Sequence, residues 1–320
     1  MTWRVQPEED LGASLRRVAL EEIAKVRADL RSPETDRAAA IHSARRSFKK
    51  LRALTRLGRL SLGAAFAGEN RRWRDAGRAL SETRDADVLA QSFDAMAASC
   101  GQDLPEEGVT AIRESIVGQP NGGSPVVPAR QVEEALSSLD RAERRIDRLN
   151  WPKDANELFG GLRDSQRRLR RSWSAARKNP DSETLHDWRK RVKDFSAQLS
   201  LFRTMLPDDL KACRRDARRL AEMLGEEHDL CILSDKLKSA AVAGRSRPSR
   251  DLLLKRVDGR REALRRDAFA MGETLSSLRP KRFAAEITET WRNASPGSAD
   301  EADRRPGERH RNPDTEAGRG

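Results

Sequence analysis

Five bases in one stretch of the chain share a single helical face. Arg45, Lys49, Arg52, Arg56 and Arg59 follow steps of four, three, four and three residues, which confines them to about 80° of a helical wheel and spreads them over about 21 Å. His42 lies on the flank of this stripe, and Leu51, Leu54 and Leu57 lie opposite it. From Arg37 to Gly68 there are 32 residues without an Asp or Glu, in a chain that carries 51 acids in 320 positions. Like charges four residues apart repel, so a stripe with no internal counter-charges calls for compensation from outside. Arg outnumbers Lys in it, and the planar guanidinium suits bidentate contact with phosphate. The chemistry indicated is electrostatic capture of an extended polyanion, against the plain alternative of a solvated basic face.

The pattern recurs. His42 and His186 are 144 residues apart, as are Asp85 and Asp229, and sliding 42–89 onto 186–233 without a gap gives 13 identities in 48 positions. Such a match keeps His, Arg and Asp in register, which helical composition alone does not explain. The chain therefore reads as two similar helical halves related by a pseudo-twofold axis. The second stripe is His186, Arg189, Lys193, Ser196, Ser200 and Arg203, with Lys190 and Arg191 adding charge nearby. Further bases at helical spacing are Arg71, Arg74 and Arg78; Arg163, Arg167, Arg170 and Arg171; and Lys211, Arg214, Arg215, Arg218 and Arg219.

Metal ligation by His42 or His186 is disfavoured, because the positions three and four residues on hold Arg45 and Arg46, or Arg189 and Lys190. An imidazole hydrogen-bonded to an oxyanion fits better, and packing against a neighbouring helix is the alternative. If both face an anion, binding should tighten as pH falls through about 6.5. The pairs Glu82–Asp85 and Glu226–Asp229, the second with His228 beside it, suit a supporting role in which carboxylates orient the bases. No nucleophile elbow, P-loop, GxGxxG or HExxH signature is present. An enzyme acting on phosphoanhydrides would need acidic metal ligands beside the stripe, and the acid-free window supplies none. The expectation is binding without catalysis, with no cofactor and no metal.

The elements that position these residues are helices. The chain has net charge +12 and a pI near 10.2. It has no Tyr, 37% hydrophobic and 36% charged residues, a supply that suits amphipathic bundles better than sheets. Leu15, Ala19, Ile23, Val26 and Leu30 open the pattern, which stops at Ser32-Pro33, with Asp36 placed to cap the next helix. Helices are expected at about 37–62, 67–99, 104–117 and 129–149, then at 154–178, 182–206, 208–224, 227–240, 249–278 and 281–293. Gly118 to Pro128 is a linker dense in breakers. The expected division is a first half at 7–150, a second at 151–292 and a disordered tail at 293–320. No apolar run is long enough for a membrane span, the first residues lack a signal-peptide core, and Cys100, Cys213 and Cys231 show no pairing pattern. Buried or incidental free thiols in a reducing, cytoplasmic compartment follow.

The segments Ile41-His-Ser-Ala-Arg-Arg-Ser-Phe-Lys-Lys-Leu-Arg52 and Leu185-His-Asp-Trp-Arg-Lys-Arg-Val-Lys193 resemble the hallmark helices of the CHAD family, the conserved-histidine α-helical domain. Leu80-Ser-Glu-Thr-Arg-Asp-Ala-Asp-Val-Leu89 and Leu224-Gly-Glu-Glu-His-Asp-Leu-Cys-Ile-Leu233 are similar to its second motif pair. The resemblance covers about residues 7–292. It implies an all-α fold of two helical bundles facing a central basic cleft or pore, with inorganic polyphosphate, or another phosphate polyanion, as partner. Some family members associate with polyphosphate or polyhydroxyalkanoate granules, so a role as a granule-surface adaptor is a further implication. By position, the binding residues would be His42, Arg45, Arg46, Lys49, Arg52 and Arg56, then His186, Arg189, Lys190 and Lys193. Asp194 and Ser196 depart from the family's pattern, which weakens the second half or skews the polymer's path. Nucleic acid is the weaker alternative: few aromatics lie among the bases for stacking, and no recognition-helix pattern is evident.

Overall fold

The computed structural model describes residues 3–31, 37–80, 84–118, 129–241 and 244–294, and these contain helices and no strand. In chain order the helices are α1 (Leu11–Arg31), α2 (Arg37–Leu57), α3 (Arg59–Leu62), α4 (Ala65–Ala79), α5 (Arg84–Cys100), α6 (Glu106–Val117), α7 (Ala129–Ile146), α8 (Ala155–Lys178), α9 (Ser182–Leu201), α10 (Asp208–Ser239), α11 (Arg247–Ser277) and α12 (Pro280–Ala294). The expected breaks at Ser32-Pro33, the Asp36 cap, most of the 118–128 linker and the tail beyond Ala294 lie outside the described residues.

Local sequence caps three of the helix starts. Asp10, Asp154 and Asp181 accept hydrogen bonds from the backbone N–H groups of Ala13, Glu157 and Thr184 at 2.8–2.9 Å, the arrangement that satisfies orphan donors at a helix N-terminus. Three expected helices are divided or joined differently, and the one expected at 182–206 ends at Leu201. The helix expected at 37–62 breaks at Gly58, where α8 lies directly on the end of α2. A Cβ on Gly161 of α8 would stand 1.9 Å from the Leu57 carbonyl oxygen, so only glycine permits this approach. The helix expected at 67–99 ends at Ala79, and α5 begins at Arg84. Conversely, the two helices expected at 208–224 and 227–240 are one, α10. A lone glycine costs a helix only about 1 kcal/mol, and around Gly225 the apolar face continues through Leu220, Leu224 and Leu230, all buried.

At the centre α2 packs against α9. Gln198 of α9 donates to the Ala53 carbonyl of α2 (2.9 Å), and Arg56 of α2 pairs with Asp194 of α9. Rising residue numbers on α2 therefore meet falling numbers on α9, so the two cross antiparallel. Helices α1 and α4 flank α2, while α8 and α10 flank α9. One core runs through both halves of the chain, from Val5 to Trp291, with Phe48, Leu51, Leu54 and Leu57 meeting Trp188, Val192, Phe195 and Leu199 in it. A second joins Leu89, Phe93 and Ile112 of α5 and α6 to Leu230, Leu233, Leu253 and Val257 of α10 and α11. Cys100, Cys213 and Cys231 are free and buried, and burial pushes the Cys213 thiol up to about 12.

Candidate anion-binding site

Helix α2 is enclosed on three sides. Towards α1, Lys50 pairs with Glu22 (2.6 Å) and Ser43 accepts from Lys25 (2.9 Å). Towards α4, Phe48 stacks on Trp73, and towards α9 the Ala53–Gln198 and Arg56–Asp194 contacts close the gap. Along the same helix run Arg45, Lys49, Arg52 and Arg56, the last turned towards α9. Of these Lys49 is exposed and the other three are half-buried, as is His42, while Arg46 is exposed. Arg59 leaves the stripe because the helix breaks at Gly58, and its guanidinium lies over the Phe66 ring at 5.1 Å.

Where α2 crosses α9 the cations crowd. Burial and the neighbouring charges of Arg56, Arg74 and Arg191 hold the Arg52 guanidinium below its ordinary pKa, with only Asp194 opposing. Arg168 of α8 is held down likewise, by burial and by Arg59, Arg191 and Arg56. Bases from α2, α3, α4, α8 and α9 thus act on one another around a single buried acid. Burial pushes the Asp194 carboxyl up from its ordinary value against the pull of Arg56, Arg191 and Arg52. The buried Arg52 Nε has no hydrogen-bond partner. Buried donors are almost always satisfied, so this guanidinium, with an unpartnered donor and other cations around it, is a place suited to an anion.

The second half is arranged differently. The His186 ring packs 4.6 Å from that of His228 on α10, its buried Nδ1 lacks a partner, and Arg189 stands 3.9 Å from Asp229. Burial, then Lys190, His228 and Arg189, push the His186 pKa down to about 4. For His186, the expected pH response near 6.5 therefore moves to lower pH. Lys190 is exposed and pairs with Asp187 (3.0 Å), and Lys193 is half-buried. The Glu226 carboxylate takes both hydrogen bonds of an exposed Arg260 on α11, at 2.7 and 3.0 Å. Glu82 and the side chain of Asp85 lie outside the described residues. Arg203 lies beyond the end of α9 and donates to the Trp3 and Ser200 carbonyls, so it is withdrawn from the stripe. Ser200 bonds back to the Ser196 carbonyl (2.8 Å).

Reading the stripes alone missed Arg168 and gave Arg191 and Arg74 no place at the site. On α9, Arg191 sits about 200° from Arg189 on the wheel, so no single-helix pattern selects it. The only available signal was an excess of Arg on every helix that borders the crossing. Among the described residues no group of three His, Cys, Asp or Glu side chains could hold a metal ion, and no helix is long and apolar enough to cross a membrane. The family model described as CHAD domain matches residues 14–238, a narrower span than the motifs suggest but well over half of the chain. No curated protein and no solved structure matches it.

Proposed function

The chain belongs to the CHAD family, and from that premise we propose that it binds inorganic polyphosphate, without catalysis, on a basic face made by α2 and α9. The observation that carries this reading is Arg52: a half-buried guanidinium held below its ordinary pKa by burial and by three neighbouring arginines, with an unsatisfied Nε. A phosphate polymer supplies the missing charge and acceptors together.

The repeat supports a continuous face. A twofold that exchanges two antiparallel helices runs normal to their shared plane, so it turns equivalent faces of both to the same side. Ala53 at the crossing is bonded by Gln198, the neighbour of Ala197, its equivalent in the repeat. His42 and His186 each precede these alanines by 11 residues, about 16 Å along the axis. They therefore mark opposite ends of a basic face roughly 30 Å long, on which the two halves and their cleft are built. In this reading the protein is cytoplasmic, and granule association would follow from polymer binding.

The test is titration with long-chain polyphosphate across a range of salt. The set Arg45→Gln, Lys49→Gln and Arg52→Gln should lose most of the affinity, with the slope of log K against log salt reduced by about three. Arg56 is left in place because its removal strands the buried Asp194, so the fold would not be left undisturbed. The control set is Arg141→Gln, Arg144→Gln and Arg148→Gln, all exposed. Arg145 is excluded because it bridges the buried Glu69 at 2.8 Å. Equal losses in both sets would mean binding by net charge alone and would overturn the assignment. Stronger binding of DNA than of polyphosphate at one salt concentration would favour nucleic acid instead.

A further inference from the structure

A second basic concavity lies away from the α2–α9 crossing. Arg167, Arg170, Arg171, Trp173 and Ser174 of α8 face Pro280 and Lys281 at the start of α12 across a cleft of about 540 Å³. Four cations line it and no acid does. Arg167 has an exposed partner in Asp164 at 3.3 Å, whereas Arg170, Arg171 and Lys281 make no ion pair with the described residues. The first turn of α12 holds Lys281 and Arg282 and no acid, although the positive end of a helix dipole favours anions and disfavours cations.

Helix α8 connects this cleft to the crossing. Arg168 belongs to the arginine group around Asp194, and Arg171 lines the cleft. Residues three apart on a helix have neighbouring side chains, about 5–6 Å between Cβ atoms. A phosphate chain leaving the crossing over Arg168 thus meets Arg171 next. We propose that the α8–α12 cleft is a second phosphate subsite, which takes the units of a long polyphosphate running off the α2–α9 face. This rests on the polyphosphate reading of that face, and it gives the protein a preference for long chains that the face alone does not.

The experiment compares three proteins with two ligands at one salt concentration: wild type, a cleft variant (Arg170→Gln, Arg171→Gln, Lys281→Gln) and the face variant (Arg45→Gln, Lys49→Gln, Arg52→Gln). The ligands are pyrophosphate and a long-chain polyphosphate, with circular dichroism as the fold control. The cleft variant should bind the long chain about tenfold more weakly, with a salt slope lower by about three, and the face variant should lose affinity for both ligands. If the cleft variant binds the long chain as wild type does, the subsite is refuted while the face stands. If the face variant binds both as wild type does, the reading of the face fails. A cleft variant that loses pyrophosphate and long chain equally would also overturn the proposal, by making the cleft a self-contained site for small phosphates.

Discussion

Gly161→Ala adds one methyl group where α8 rests on the end of α2. That carbon would stand 1.9 Å from the Leu57 carbonyl oxygen and 2.9 Å from its carbon, both backbone atoms. Ordinary contact begins near 3.4 Å, so α8 has to retreat by roughly 1.5 Å or α2 has to give up its last turn. Overpacking of this kind costs about 1–3 kcal/mol, a fall in melting temperature of roughly 2–5 °C for a chain of this length. The retreat also moves Arg168 relative to Arg56 and Arg191, so affinity for polyphosphate should fall with stability. The adjacent Gly160→Ala is the control. Its added carbon would meet only the Leu60 Cδ1 at 3.1 Å, a side chain that can move, and alanine is the better helix former by about 1 kcal/mol. Thermal melts followed by circular dichroism should therefore place Gly161→Ala below wild type and Gly160→Ala at or above it. Equal melting of the two variants would refute the close approach of α8 on α2, and with it the placement of Arg168 at the crossing.

Two further tests probe the site's charges. Asp194→Asn removes the acid that competes with bound phosphate for Arg56 and Arg52, so the variant should bind polyphosphate more tightly at low salt, with a slope steeper by about one; an unchanged slope would mean that Asp194 does not stand in for an anion. The His186 imidazole should titrate near 4 in the polymer-free protein. It is faced by Asp187, Arg189 and Lys190 on α9 and by His228 on α10, with Asp229 beside Arg189. Bound polyphosphate favours the imidazolium and raises this pKa, so affinity should increase as pH falls through the raised value and level off below about 4. NMR titration with and without polymer checks this, and coincident curves would show that His186 does not face the anion.

Much of the fold was legible because its causes are local. Leu15, Ala19, Ile23 and Val26 are spaced for one helical face and are buried on it, and the same holds for Leu51, Leu54 and Leu57. The repeat named α2 and α9 as equivalent, and the Arg52 and Arg56 positions followed from spacing alone. The errors fall where distant segments decide. The end of α2 at Gly58 depends on Gly161, about one hundred residues away, and Arg203 is drawn off by the backbone of Trp3. Glu226 shares a motif with Asp229, yet Arg260 takes it because α11 lies alongside.

By itself the sequence determined that the chain is helical, that two of its helices are copies, and that the first copy bears a charge stripe with no acid in its own segment. Those properties follow from period, identity and charge count, and none requires knowing which helix touches which. Only the tertiary structure decided where the charge gathers. The antiparallel crossing brings Arg191 and Arg168 beside Arg52 and Arg56 and sets Asp194 among them. At the position equivalent to Asp194, the first half has Lys50, which turns to Glu22. Charges interact through space, with a strength set by distance and burial, and a linear sequence specifies neither until the helices pack.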